Sequence, residues 1–476
     1  MSHVSLGAVA PSIACCLSLS AAFAQAGQPG PLRVGIASAD ITPEGPVWMY
    51  GFGGRDNVKP SEGTAQELVA QCVLFDNGQT RVAFVALDLC VVSYYQTLKL
   101  RAAAEAAGVP QQHLMVNVSH THFGPHLGQH HPDNRNLEYE TLLTERLQGL
   151  FPAAAADLKP ALLDYTVGSC DMGFNRRSCY APGGRKPNDP DVPVLRVVSP
   201  EGKVRALLFG YACHPTTAGG SMLYVIGSDY PGYTRQWVAA GYPDAEAIFL
   251  QACGADVKPG NCGNPSSVWH TGFLNPNQAK QMMGYELGRA VIKAVAGHGS
   301  SHPASPPLPP IAPLADGRLP TERERGFPVP PPPVPADRAA DVEQALATPV
   351  TLGGMVETVS LPSKADPERS WQNPWHMGAW RIGDVYFWGS QGEVLSAFGR
   401  RIKSELPEVR VWTSGYTHWG GGYVPEAATY PEGGYEVDIT AFAPQAEEII
   451  VANAHRYLKE LQTEPIHTAP IPRCHP

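Results

Sequence analysis

No stretch of the 476-residue sequence clusters lysine and arginine. Without a basic patch or stripe there is no electrostatic footprint for nucleic acid. Charged residues are 17 % of the chain against 43 % hydrophobic, and the formal net charge is −9. That balance excludes a disordered, highly charged chain and describes a globular one. Beyond the N-terminus, no apolar run reaches the roughly 18 residues that a membrane-spanning helix needs. Familiar catalytic signatures are missing as well: there is no H-E-x-x-H, no G-x-S-x-G nucleophile elbow and no P-loop. The cysteines form no C-x-x-C pair, which argues against a structural zinc site of four thiolates. Gly51-Phe52-Gly53-Gly54-Arg55-Asp56 is glycine-rich but opens no helix, so it is not a dinucleotide fingerprint. There is no internal repeat.

Proline (47) and glycine (48) are abundant, and long loops are expected. The length allows one to three domains and a large core. The first residues are apolar and lead to Ala22-Phe23-Ala24, an A-x-A-like cleavage site. A signal peptide over 1–24 and export to the periplasm or exterior are therefore expected, although no Lys or Arg precedes the apolar run. Cys15 and Cys16 match a lipoprotein cysteine poorly. Export permits disulfides. Cys170 with Cys179, and Cys253 with Cys262, are near enough to close short loops. Cys72 and Cys90 lie in strand-like runs, as a cross-hairpin pair or as buried thiols; spacing does not choose between them.

Strands are expected over 32–42 and twice within 68–90, around the turn Asp76-Asn77-Gly78. A helix over 97–109, closed by Gly108, and a strand over 113–119 complete a strand–helix–strand pattern and imply parallel neighbours. A helix at 138–158, strands at 205–215 and 245–257, and a helix at 277–296 follow. Residues 303–335 are too rich in proline for a regular core element and read as a surface excursion within one domain. A helix at 336–347, strands near 353–361 and 377–389, and a helix at 445–460 finish the chain. The fold class is α/β: mixed, partly parallel sheets flanked by helices, in a single large domain.

Candidate site residues sit where apolar runs end, and in sheets with parallel neighbours ligands gather beyond the carboxyl ends of strands. His120 and His122, in Asn117-Val118-Ser119-His120-Thr121-His122, share a face of an extended chain. Imidazole is the commonest metal ligand, yet an H-x-H pair alone is about as often a surface or core pair as a pair of ligands. His214 ends the run at 205–215, where a hydrogen-bonded core histidine is the plainer reading. Glu393 opens a helix-like run, a position that the helix dipole alone favours for an acid. Tyr423 and Tyr435 lie in a glycine-rich loop, where packing is the ordinary role. His126 is read as a loop histidine.

Taken in order, these stretches resemble the neutral ceramidase family. The resemblance rests on Ile36-Ala37-Ser38-Ala39-Asp40-Ile41-Thr42, on His120-Thr121-His122-Phe123-Gly124-Pro125, and on His214 followed by Gly227-Ser228-Asp229-Tyr230. Gly392-Glu393, and the tyrosines Tyr423 and Tyr435 in G-Y-V and G-Y-E segments, complete it. It runs from about residue 32 to 460. The resemblance implies an exported amidase with one catalytic zinc at the strand carboxyl ends, ligated by His120, His214, Glu393 and Tyr423. It implies His122 as acid/base and Tyr435 as hydrogen-bond donor to the scissile amide or its oxyanion. Arg176 would bind substrate, with neighbouring Arg177 leaving the register open. The chemistry is coherent: zinc accepts N and O ligands and acidifies water, histidine shuttles the proton and a phenol steadies the oxyanion.

Two positions depart from the family pattern. Lys258, in Ala255-Asp256-Val257-Lys258-Pro259-Gly260, replaces a functional serine, either changing the polarity of the pocket or pointing to solvent. Phe123 replaces the serine after H-T-H. The chain also stops near the end of the catalytic domain, so no C-terminal β-sandwich is expected. The expected partner is a small N-acyl or lipid substrate, ceramide or ceramide-like, with peripheral contact to a membrane. Two other classes remain: a zinc hydrolase of esters or phosphoesters, and a non-catalytic lipid- or sugar-binding relative.

Overall fold

Local turn chemistry starts the fold. Asp76 Oδ1 accepts from Gly78 N at 2.7 Å and Asn77 Oδ1 accepts from Thr80 N at 2.9 Å, while Gly78 takes φ +81°. This Asx-type turn folds Val69–Asp76 back onto Arg81–Leu87 in antiparallel register. The chain then enters helix Tyr94–Ala106, whose N-cap Ser93 accepts from Gln96 N, and returns as Leu114–Val118, parallel to Arg81–Leu87. The computed structural model describes residues 30–128, 136–217, 222–260, 276–296, 339–366 and 373–463. The expected signal peptide, the proline-rich 303–335 and Cys262 lie outside the described residues.

Two further units repeat this construction. Val204–Tyr211 and Glu246–Gln251 are parallel neighbours with helix Tyr230–Gly241 between them in sequence. Val385–Ser390 and Arg410–Ser414 are likewise parallel, joined through helix Ser396–Glu405. Each pair is extended by antiparallel strands into a larger sheet. Arg33–Asp40 extends the first sheet, Leu162–Ser169 and Asp191–Val198 the second, and Leu352–Ser360 and Pro374–Ile382 the third. The fold is thus the mixed, partly parallel α/β class expected.

The three sheets share apolar surface. One buried cluster draws Phe84 from the first, Leu208 from the second and Trp380, Phe387 and Trp412 from the third. Each such side chain contributes about 1.5–3 kcal/mol on burial. At the carboxyl ends the units are also tied by polar groups. Asn117 Nδ2 donates to Gln251 O (3.1 Å) and Gly415 O (2.9 Å), and Gln251 N donates to Asn117 Oδ1 at 2.7 Å. Isolated bridges pair Asn117 with Thr417 and Ala252 with Ser414. The loops that leave these three strands are therefore forced together.

Several boundaries differ from expectation. The strand expected over 377–389 is a hairpin, Pro374–Ile382 and Val385–Ser390, turning at Gly383 with φ +66°. The run at 245–257 ends at Gln251, and Val257–Pro259 is a separate strand paired with Gly173–Asn175. The strand 205–215 stops at Tyr211, leaving His214 in the following loop. No disulfide forms among the described residues: Cys72 pairs in register with Val85, Cys90 lies beyond that hairpin, and Cys170 is a buried thiol.

Candidate metal centre and active site

The residues His120, His214, Glu393 and Tyr423 meet where the three units join. His120 follows Leu114–Val118 with φ +61°, a left-handed conformation uncommon for a residue with a side chain and found where the surroundings over-determine it. Its N–H donates to Leu89 O at 2.9 Å, tying it to the loop after the parallel partner strand. Its Nδ1 donates to Cys90 O at 2.7 Å. His214 Nδ1 donates to Gly254 O at 2.9 Å. A carbonyl can only accept, so each Nδ1 carries the proton and each Nε2 turns inward. Glu393 is delivered by Gly392 (φ +70°), where a Cβ would lie 2.2 Å from the Trp375 ring. Glu393 and Tyr423 are register partners in a short parallel pair.

The inward atoms of His120, His214 and Glu393 lie within 4.8 Å of one another, close enough to share one ion. Glu393 Oε2 lies 3.1 Å from His214 Nε2 and 3.4 Å from His120 Nε2. Tyr423 OH lies 3.4 Å from His214 Nε2. Four ligands at zinc-type bond lengths of about 2.0–2.1 Å stand about 3.3–3.4 Å apart. Charge agrees with this. Burial and the charge of Lys258 push His214 down to about 3. A neutral His214 with Nδ1–H bound to Gly254 aims its Nε2 lone pair at a carboxylate oxygen 3.1 Å away, an arrangement that a cation between them relieves. Burial opposes charging of His120, but Cys90 and Glu393 outweigh it and raise it to about 10. Glu393 is held well below its usual range, His120 and His214 overcoming burial. The donor set therefore fits a divalent ion.

His122 stands beside this group. Its Nε2 is 3.1 Å from His120 Nε2, and with Cys90 and His120 it forms a second set of potential ligands. Burial, then the charges of His120 and Lys258, push it well below 6.5. The glycine-rich segment at 51–56 is its cradle. A Cβ on Gly51 (φ +121°) would lie 2.5 Å from His122 Cγ, Phe52 packs edge-on at 4.8 Å, and Arg55 Nη1 donates to His122 O at 2.6 Å. The sequence reading found no role for this segment; its function appears only when it closes on a residue 70 positions away.

The two arginines have different roles. Arg177 is spent on Glu436, Glu432 and Gly433 O. Arg176 donates Nε to Glu436 at 2.5 Å, and its guanidinium lies over the rings of Tyr423 (5.5 Å) and Tyr435 (4.9 Å). It is therefore Arg176 that faces the centre. Tyr435 is 52 % exposed at the mouth, its ring 5.6 Å from that of Tyr423. Lys258 donates to Thr216 Oγ1 at 3.2 Å; it faces inward, and burial followed by Arg176 lowers it to about 7. Phe123 is buried against Lys280 Nζ, 3.4 Å from the ring centroid. His126 stacks on Tyr50. Tyr416 was not singled out from sequence: it takes φ +56° and its ring lies 4.4 Å from that of His120. The signal was available, since Gly415-Tyr416 ends an apolar strand just as Ser119-His120 does. A small cleft, walled in part by Val91, Val92 and Trp419, opens on Glu393 and His120.

The chain has the fold of the neutral ceramidases. It superposes on the crystal structure of neutral ceramidase from Pseudomonas aeruginosa with TM-score 0.67 at 20 % identity, covering 93 % of this chain and 76 % of that one. A ceramidase complexed with C2 matches with TM-score 0.65 at 18 % identity, over 93 % of this chain and 77 % of its own. No family model and no curated protein sequence matches the chain.

Proposed function

We propose that the chain is an exported zinc-dependent amidohydrolase cleaving the linear C–N bond of an N-acyl substrate, ceramide or a ceramide-like lipid. In this reading residues 1–24 are a signal peptide and residues 25–476 one hydrolase domain. The observation that carries it is the convergence of His120, His214, Glu393 and Tyr423, with neighbouring ligand atoms 3.1–3.4 Å apart, where three strand–helix–strand units meet. These four residues would hold one zinc ion. When bound, zinc supplies Lewis acidity, polarising a carbonyl and lowering the pKa of water to about 7.

The chain's own groups do the rest. His122 takes the proton from the attacking water and returns it to the leaving amine. Tyr435 donates to the scissile oxygen, and Arg176 orients the substrate across the two tyrosine rings. Half-exposed Tyr435 and Ile439 form the surface that meets a membrane-borne substrate. The likeness in fold to ceramidases supports an amide, rather than an ester or phosphoester, as the bond cleaved.

Metal analysis of purified protein is expected to find one zinc per chain, and chelation to abolish amide hydrolysis. Absence of metal, or full activity in His120→Ala, overturns the reading. A panel of amides, esters and phosphoesters distinguishes the bond cleaved.

A further inference from the structure

The wall of the site built from Gly173–Asn175 and Val257–Pro259 carries two inward cations, and one of them, Lys258, has no carboxylate paired with it among the described residues. Lys258 stands opposite Phe174 in antiparallel register, and Arg176 N donates to Asp256 O at 2.8 Å, so both cations spring from one two-stranded element. Three nearby carboxylates are already engaged. Asp256 accepts from Asn175 Nδ2 (2.6 Å), Ser396 N (2.7 Å) and Ser396 Oγ (3.1 Å). Glu436 accepts from Arg176, Arg177 and Tyr180. Glu432 pairs with Arg177 and Lys186. Glu393 belongs to the histidines. What Lys258 has is a neutral hydroxyl, Thr216 Oγ1. Arg176 is 5 % exposed, and its Nη2 has no hydrogen-bond partner among the described residues. A buried cationic donor left unpaired is costly, so the wall is complete only when an anion joins it.

We propose that Lys258 and Arg176 together hold a carboxylate of the substrate, and that the amide cleaved belongs to an N-acyl amino acid rather than to a neutral ceramide. A carboxylate is acceptor-only, with two oxygens for two donors, and charge-assisted bonds of this kind are about twice as strong as neutral ones. The hydroxyls of a sphingoid base would leave Lys258 without a counter-charge, since Glu436 answers only Arg176. This inference rests on the hydrolase reading and narrows its substrate class.

The test compares N-lauroylglycine with N-lauroylethanolamine, which differ chiefly in a carboxylate for a hydroxymethyl. With enzyme as purified, kcat/KM for the glycine amide is expected to exceed that of the ethanolamide by about tenfold or more. Calorimetry on chelator-treated protein is expected to give the same ranking in Kd. In Lys258→Met the ratio falls to within about threefold; in Lys258→Arg, which keeps the charge, the preference is retained. Equal binding and equal turnover of the two amides by wild type overturns the carboxylate site and leaves the hydrolase reading intact. Preferential binding of N-lauroylglycine without turnover of either amide does the reverse. A preference that survives in folded Lys258→Met also overturns the proposal. Should that variant fail to fold by circular dichroism, the wild-type comparison still decides.

Discussion

At the scale of single residues, the proposed mechanism separates groups that would hold the metal from groups that would act. His120→Ala, His214→Ala and Glu393→Ala are each expected to lose bound zinc and activity together, read by metal analysis alongside turnover. His122→Ala is expected to keep the metal and lose about 10²–10⁴ in kcat, the usual contribution of a positioned acid/base. Gly51→Ala makes a subtler point. Its Cβ would meet the His122 ring at 2.5 Å in a backbone region unsuited to side chains, so kcat should fall further than thermal stability does. A variant that melts early but works normally when folded would contradict this. Histidines at strand ends were legible in the sequence because an apolar run that stops at a polar ligand type is a local pattern. Arg55 and Gly51 were not, because their meaning lies in His122, which no local window contains.

At the scale of elements, turn and cap chemistry made much of the fold readable. The Asp76-Asn77-Gly78 turn and the helix closed by Gly108 appeared where expected. Helix Tyr230–Gly241 did not, since Pro231 and Gly232 mask its start. Pro231 is tolerated in the first turn, where its missing N–H has no partner to lose, and Asp229 caps the helix by accepting from Tyr230 N. Helix Pro276–Ala296 packs on it through glycines. A Cβ on Gly284 would lie 2.3 Å from Tyr233 Cβ, and one on Gly288 2.4 Å from Trp237 Cδ1. Gly284→Ala is therefore expected to cost about 1–3 kcal/mol by overpacking. A denaturant midpoint lowered at unchanged slope would bear this out; an unchanged midpoint would refute it.

At the scale of the whole molecule, the site is a product of how three units are joined. Asn117 reaches both of the other units, so Asn117→Ala strands two carbonyls and one N–H. The expected cost is about 2 kcal/mol or more, with weaker zinc binding as the loops separate; normal metal affinity in a destabilised variant would show the junction to be structural only. Acid stability has a second control point in Glu436, fully buried between Arg176 and Arg177. Burial alone would raise its pKa, but Arg176 overrides this and lowers it. A group with a depressed folded pKa contributes fully above its unfolded value, about 4.3, and that contribution is lost as pH falls through the lower folded value. Glu436→Gln should thus cost about 3–5 kcal/mol at neutral pH and flatten the loss of stability below about pH 4. Urea midpoints across pH 3–7 measure both effects.

The types of chemistry and their order along the chain were settled by the sequence alone, because periodicity, turn residues and the ends of apolar runs are properties of neighbouring residues. Tertiary structure decided which of those residues share a centre. Which of Arg176 and Arg177 faces inward, that Lys258 is turned to the pocket, and that 51–56 grips His122 all depend on contacts between segments far apart in the chain. Those contacts follow from one shared apolar cluster and from the amide of Asn117, which bring residues 120, 214, 393 and 423 to a common point that no single segment encodes.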